Sequence, residues 1–88
     1  MITTQELIDL IIEGIQEKKG HHISVADLSS IQSAPAETFV ICTGNNPAQV
    51  DSIVDSIENV TRVKGKENPT TIAGRQNSVW VAMDYGNI

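Results

Sequence analysis

Histidine and cysteine, the most common metal ligands and nucleophiles, are sparse in this chain. His21 and His22 are its only histidines, and Cys42 is its only cysteine. Adjacent residues of an extended segment point to opposite faces, so the two imidazoles are poorly placed to share a metal ion. We interpret the pair as part of a solvated loop. Cys42 lies in an apolar stretch without a basic neighbour that would lower the pKa of its thiol, and we expect it to be buried and inert.

Two further segments could bind ions. The turn at residues 43–46 precedes a helix start, where free backbone N–H groups can hold a phosphate, but it lacks the lysine and the glycine spacing of nucleotide-binding loops. We favour a tight turn with an asparagine N-cap, and keep an anion site as the alternative. Asp51 and Asp55 lie one helical turn apart and share a face. With no third carboxylate or histidine nearby, they are more typical of a solvated helix face than of a magnesium site.

Trp80 gives the best functional signal. It is the one tryptophan in a chain with 3% aromatic residues, and it lies on a predicted strand with Ala82 and Asp84. Two interpretations are open: packing in the core between sheet and helix, or an exposed anchor for a partner, since tryptophan is enriched in interface hot spots. Arg75 and Tyr85 lie just outside the strand and are residue types that surround such anchors. We therefore take this patch as the candidate binding site.

A helix is predicted at the N-terminus. Thr3 and Glu6 are spaced as a capping box, and Gly20 is a suitable stop in the left-handed conformation. Gly14 inside the helix costs about 1 kcal/mol relative to alanine, which close packing of a neighbouring element would explain. The apolar stripe of this helix consists of Leu7, Ile8, Ile11, Ile12 and Ile15.

Two strands and a loop are predicted next. Residues 23–28 are short and largely apolar, and residues 29–36 have the serine and proline content of a loop. Residues 38–42 predict a strand buried on both faces, because three large apolar residues follow one another at positions 39–41.

A second helix and two more strands complete the chain. Asn46 suits the N-cap of the helix and Pro47 its first position. Residues 70–73 are a weak strand candidate rich in β-branched side chains, and residues 74–78 form a polar turn. Residues 79–84 alternate as a two-sided strand. The apolar stripe of the second helix consists of Val50, Ile53, Val54, Ile57 and Val60.

The predicted fold class is therefore α/β, with helices packed on a small mixed β-sheet. The crossover from residue 38 to residue 73 predicts a parallel strand pair, and the turn at residues 74–78 predicts an antiparallel hairpin. Eighty-eight residues allow one domain, residues 1–88.

Charge and hydropathy exclude several classes of function. Six basic and eleven acidic residues give a formal charge of −5, so direct binding to DNA or RNA is disfavoured and a basic protein is the better electrostatic match. No apolar run approaches the roughly 18–20 residues that span a bilayer, and no secretion signal is evident at the N-terminus. We expect a cytoplasmic protein.

Two stretches together carry a family resemblance. Residues 36–45, Ala-Glu-Thr-Phe-Val-Ile-Cys-Thr-Gly-Asn, followed by Gln49-Val50, resemble the first signature of the Iojap family, the bacterial ribosomal silencing factors (RsfS). Residues 80–86, Trp-Val-Ala-Met-Asp-Tyr-Gly, resemble its second signature. The leading helix and the spacing between the two stretches also fit, so the resemblance extends over nearly the whole chain.

The resemblance implies a nucleotidyltransferase-like fold without catalytic residues, and hence no cofactor. Family members bind a basic protein on the subunit-joining face of the large ribosomal subunit, block docking of the small subunit and lower translation when nutrients are short. Carried over by residue, the family's binding surface falls on Trp80, Asp84, Tyr85 and Gly86. The patch described above adds Arg75 to these.

The chain departs from the family pattern at several points. Ala73 stands where a glutamate is usual, Asn46 where a serine is usual, and Asn87 where an aspartate is usual. Family members also continue with a strongly apolar strand and a C-terminal tail. We expect a chain ending at Ile88 to lack that strand, which leaves a sheet edge beside Trp80 and invites pairing with a second copy. A homodimer is therefore one expectation.

Three functions follow, of which the first is favoured. A translation-silencing binding protein needs no catalytic residues. A nucleotide-binding or nucleotidyltransferase-like enzyme needs two or three carboxylates on adjacent strands to hold magnesium against phosphates, whereas the two acids that follow residues 43–44 lie on a helix. A generic homodimeric adaptor could use the same Trp80 surface.

Overall fold

The computed structural model describes residues 2–88, which form two helices and four strands. In chain order, these elements are α1 (Thr4–Glu17), β1 (His21–Asp27), β2 (Thr38–Thr43), α2 (Pro47–Gly65), β3 (Thr71–Ala73) and β4 (Ala82–Asp84). The predicted order of elements and the predicted α/β class are both confirmed. Within residues 2–88, neither helix is long and apolar enough to cross a membrane.

The predicted capping box opens α1. The Glu6 N–H donates to Thr3 Oγ1 at 3.1 Å, and the Thr3 N–H donates to the Glu6 carboxylate at 3.0 Å. Hydrogen bonding of the Glu6 carboxylate to Thr3, first to its backbone N–H and then to its side chain, lowers the pKa of Glu6. The predicted left-handed stop at Gly20 is wrong, because Lys19 takes that conformation with φ of 60°. Gly20 instead provides space, since a Cβ there would lie 2.5 Å from Ile15 Cγ2.

The two helices approach closely at Gly14. A Cβ at this position would lie 2.7 Å from Ile57 Cα and 3.0 Å from Ile57 N. The hydroxyl of the buried Ser56 also donates to the Gly14 carbonyl at 2.8 Å. The expected close packing of a neighbour against Gly14 is thus confirmed, and the neighbour is α2.

The strands form two separate two-stranded sheets, and both sheets are antiparallel. The predicted hairpin between β3 and β4 is confirmed, with Ile72 opposite Met83. The predicted parallel pairing of β2 with β3 is wrong for the residues that the structure describes. β3 has only three residues, and a hairpin partner a few residues away closes a shorter loop, at a lower entropic cost, than a partner across α2.

The β1–β2 sheet is covered by the helices on one face. Val40 and Cys42 pack against the core, whereas Phe39 and Ile41 are 37% and 50% exposed. The prediction that this strand is buried on both faces is therefore wrong, because its apolar run supplies a second face that no described element covers.

The core lies between the helices and the inner sheet faces. The segment after β4 also contributes to the core, through the buried Ile88. This segment is held in place because the Asn87 carbonyl accepts from the N–H groups of Glu37 and Thr38, at the start of β2, at 3.0 and 3.1 Å. The buried cluster consists of Leu7, Ile8, Ile11, Ile15, Ile53, Ile57 and Ile88.

Candidate functional site

β3 and β4 are joined by residues 74–81, which we call the Trp80 loop. It begins at Gly74, where φ is +98° and where a Cβ would collide with the carbonyl oxygen of Trp80. Only glycine satisfies both conditions at low cost. The Ser78 N–H donates to the Gly74 carbonyl at 3.1 Å, and the Val79 N–H donates to Asn77 Oδ1 at 3.2 Å. The loop therefore folds back on itself and holds the Trp80 backbone against Gly74.

The indole of Trp80 lies in solvent. Trp80 is 82% exposed and the adjacent Val79 is 65% exposed. β4 begins only at Ala82, three residues after the predicted start, so Trp80 precedes the strand. The core-packing interpretation of Trp80 is wrong, and the side chain is free to contact a partner.

Asp84 and Gly86 shape the turn after β4. Asp84 is exposed, and its Oδ1 accepts the N–H of Gly86 at 2.8 Å. Gly86 has a φ of +96°, a conformation that favours glycine. One carboxylate oxygen thus holds the turn, while the negative charge of Asp84 stays at the surface.

Tyr85 connects this turn to α2. Its ring packs against the core cluster, and its hydroxyl lies 2.9 Å from Oγ1 of Thr61, which is fully buried. Burial raises the pKa of Tyr85, while the hydrogen bond with Thr61 acts in the opposite direction. The side chain that we predicted at the binding surface is therefore largely committed to the interior.

Arg75 connects the other end of the Trp80 loop to α2. Its Nε and Nη2 donate to Asp51 Oδ1 at 2.9 and 2.6 Å, and its Nη2 also donates to Asp55 Oδ1 at 2.9 Å. These hydrogen bonds raise the pKa of Arg75, and the bonding to Asp51 has the largest effect. Ser78, buried and left-handed with φ of 54°, donates from Oγ to the same Asp51 oxygen at 3.2 Å.

The five predicted site residues therefore lie on one hairpin and its flanking turn, but in two groups. Trp80, Asp84 and Gly86 are exposed, whereas Arg75 and Tyr85 attach the hairpin to α2. Sequence reasoning missed Ser78 and the pairing of the two helical aspartates with Arg75. The one available signal was the four-residue spacing of Asp51 and Asp55, which places both carboxylates on one face of α2.

The other candidate chemistry has structural explanations. His21 and His22 lie in β1 rather than in the predicted loop, and their rings meet edge to face with centroids 4.9 Å apart. Cys42 is half-buried, and desolvation raises the pKa of its thiol, which disfavours the nucleophilic thiolate. Among residues 2–88, no three histidine, cysteine or acidic side chains are grouped so that they could hold a metal ion.

The turn between β2 and α2 is filled by its own side chains. Asn46 Oδ1 accepts the N–H of Gln49 at 2.9 Å, as the predicted N-cap requires. The Gln49 side chain accepts the Asn45 N–H at 2.5 Å and donates to the carbonyls of Lys18 and Lys19 at 3.1 and 3.2 Å. A capped turn that also ties α2 to the end of α1 accounts for this segment.

Comparisons with known proteins identify relatives over nearly the whole chain. A profile of the family described as "Ribosomal silencing factor during starvation" (RsfS) matches residues 1–88. Two curated relatives are named "Ribosomal silencing factor RsfS". The one from Halalkalibacterium halodurans is 29% identical over 87 residues, which cover 99% of this chain and 73% of the relative. The one from Chromobacterium violaceum is 30% identical over 87 residues, which cover 96% of this chain and 67% of the relative.

Solved structures share the fold. A crystal structure of a Chromobacterium violaceum protein matches 98% of this chain and 70% of its own chain with a TM-score of 0.90 at 24% identity. A crystal structure of a Bacillus halodurans protein matches 96% of this chain and 76% of its own with a TM-score of 0.84 at 26% identity. The α/β arrangement therefore occurs in proteins of known structure, and the nucleotidyltransferase-like description stays a prediction.

Proposed function

The chain belongs to the RsfS family of ribosomal silencing factors, and we propose that it is a non-enzymatic regulator that binds the large ribosomal subunit in the cytoplasm. The resemblance drawn from its two signatures is confirmed by the family match. In this proposal, the chain contacts a basic protein on the subunit-joining face, blocks docking of the small subunit and lowers translation when nutrients are limiting.

The observation that carries this proposal is the exposure of Trp80. An indole that is 82% exposed leaves a large apolar surface in water, and such surface favours a binding role over a packing role. Tryptophan anchors in interfaces fill a pocket of the partner and supply much of the binding free energy. We therefore assign to Trp80 the role of central anchor, with Asp84 at its polar rim.

Charge favours a basic partner. The chain carries a formal charge of −5, and Asp84 is exposed on the same hairpin as Trp80. On the supporting helix, Asp51 and Asp55 share the single positive charge of Arg75, so this group keeps a net charge of −1. Negative charge around an apolar anchor speeds association with a basic protein surface and repels nucleic-acid phosphates. Tyr85, Gly86 and Arg75 contribute by shaping the hairpin.

Sedimentation with purified ribosomal subunits tests the proposal. We expect the chain to migrate with the large subunit, to stay free when mixed with the small subunit alone, and to reduce the formation of joined particles. Migration with neither subunit, or with the small subunit, would contradict the proposed function.

A pair of isosteric substitutions tests the charge at the rim. Asp84→Asn keeps the oxygen that accepts the Gly86 N–H and removes the charge. Asp27→Asn is a matched control, because Asp27 Oδ1 accepts the N–H of Ser29, two residues ahead, at 2.9 Å in the other sheet. We expect Asp84→Asn to weaken subunit binding about 2- to 5-fold and Asp27→Asn to leave it unchanged. Equal effects would show that only net charge matters.

A homodimeric adaptor is distinguished by the same protein samples. Analytical ultracentrifugation of the free chain measures self-association, and Trp80→Ala shows whether the indole is responsible. A Trp80-dependent dimer that binds neither ribosomal subunit would favour the adaptor over the silencing factor.

A further inference from the structure

The Trp80 loop is attached to α2 by a compact polar cluster that we call the Arg75 clamp: Arg75, Ser78, Asp51 and Asp55. Four hydrogen bonds of 2.6 to 3.2 Å join the loop side chains to the two helical carboxylates. Three of them converge on one oxygen, Asp51 Oδ1. The guanidinium fork is suited to this geometry, because its donors are fixed in a plane and reach both carboxylates at once.

The clamp acts on a loop that would otherwise have few fixed points. Gly74 has the conformational freedom of glycine, and Ser78 is held at φ of 54°, which is unfavourable for a residue with a Cβ. Ser78 is nevertheless buried, and its hydroxyl donates to Asp51. The clamp therefore fixes the loop at residues 75 and 78, the second of which directly precedes Val79 and Trp80.

We propose that Arg75 is a positioning residue of the binding surface: through Asp51 and Asp55 it holds the Trp80 loop on α2, so that the exposed indole is presented in one orientation. The proposal rests on the proposed function for its effect on binding. An anchor that is already ordered binds more tightly, because less conformational entropy is lost when the partner docks. Arg75 is thus assigned an indirect role in binding, in place of the direct contact expected from the sequence.

Fluorescence of the single tryptophan tests the clamp without any partner. Time-resolved anisotropy of Trp80 separates local motion of the indole from tumbling of the whole chain. We expect Arg75→Ala to increase the amplitude of the fast local decay, and Asp51→Ala to do the same. The double variant should increase this amplitude by less than the sum of the two single effects, since both substitutions remove the Arg75–Asp51 hydrogen bonds, but by more than either alone, since Arg75→Ala leaves the Ser78–Asp51 bond and Asp51→Ala leaves the Arg75–Asp55 bond. Raising the salt concentration should increase the amplitude of the fast decay in the wild type towards the values of the variants, because partly exposed ion pairs are screened.

Arg62→Ala is the matched control. Arg62 lies on the exposed surface of α2, the helix that supports the hairpin, and it donates to Asn59 of the same helix at 2.9 Å. Its removal changes the net charge by the same amount without touching the loop. We expect it to leave the anisotropy of Trp80 unchanged.

Binding to the large subunit provides the second readout. We expect Arg75→Ala and Asp51→Ala to weaken it about 3- to 10-fold, with Arg75→Lys between Arg75→Ala and the wild type, because an ammonium can replace the charge but not the fork. If Arg75→Ala weakens binding while the anisotropy of Trp80 stays at the wild-type value, Arg75 contacts the partner directly and the proposal is overturned. If the wild type does not bind the subunit, the proposed function fails, whereas the anisotropy still decides whether the clamp orders the indole.

Discussion

Replacement of Trp80 by alanine should separate binding from folding. Because Trp80 is 82% exposed, folding removes only about a fifth of its surface from water. A tryptophan buries up to about 150–250 Å², so the lost burial is about 30–50 Å², or about 1 kcal/mol at 25 cal/mol per Å². For a domain of this size, 1 kcal/mol corresponds to a fall in Tm of about 4–8 °C.

The expected effect on partner binding is larger. Truncation of a central tryptophan anchor costs about 2–4 kcal/mol, which is a rise in Kd of about 30- to 700-fold. The difference arises because the indole is solvated in the free chain and buried only in the complex. The effect of Trp80→Ala on Kd should therefore exceed its effect on unfolding.

Two measurements on one protein preparation make the comparison. Thermal unfolding followed by circular dichroism gives the change in stability, and sedimentation with the large ribosomal subunit gives the change in Kd. Ile41→Ala is a suitable control, because Ile41 is 50% exposed on the other sheet; it should leave Kd unchanged. A stability loss of about 3–5 kcal/mol for Trp80→Ala, the value for a core aromatic residue, would refute the assignment of Trp80 to the surface. An unchanged Kd would refute its role as the anchor.

Three further changes test the scaffold. Gly14→Ala should destabilise the chain by about 1–3 kcal/mol in denaturant unfolding, since overpacking against Ile57 outweighs the gain in helix propensity; a rise in stability would refute the close helix contact. Tyr85→Phe should cost about 1 kcal/mol through loss of the Thr61 hydrogen bond. The folded-state pKa of Tyr85 is raised, so the stability that its neutral form contributes is fully present below about pH 10 and is lost as the pH rises through the folded-state pKa. Absorbance titration of this single tyrosine should therefore show ionisation at a higher pH than that of a free tyrosine. The stability of Tyr85→Phe should fall less steeply with pH in the alkaline range than that of the wild type. Thr3→Ala should cost about 1 kcal/mol by removing the α1 N-cap, measured as a lower Tm; an unchanged Tm would mean that the cap contributes nothing.

Both helices could be predicted because their signals are local. The capping box at Thr3 and the Asn46-Pro47 start each involve residues within one turn of the chain, and their geometry follows from backbone hydrogen bonding alone. The apolar stripes have the same local character. The end of α1 shows the limit of local signals. Glycine is intrinsically favoured in the left-handed conformation, yet Lys19 adopts that conformation. Gly20 is needed for a different reason, because Ile15 leaves no space for a Cβ at this position.

Strand pairing and strand length could not be predicted in the same way. Alternation over residues 79–84 is compatible with a strand, but the left-handed backbone of Ser78 and the contact of Gly74 with the Trp80 carbonyl keep the first three of these residues out of the ladder. The exposure of Trp80 follows from that displacement. Which edges pair is likewise a tertiary outcome, since the sequence of β3 fits a parallel and an antiparallel partner equally well.

The position of the indole depends on contacts that link the whole chain. α2 is seated on α1 at Gly14, where Ser56 donates to the Gly14 carbonyl. The hairpin is in turn attached to α2 through Arg75 and, beyond β4, through Tyr85. A change at the helix crossing that shifts α2 must therefore also shift both attachment points of the hairpin. Gly14→Ala should consequently weaken partner binding even in chains that remain folded, whereas a change on the exposed face of the other sheet should not.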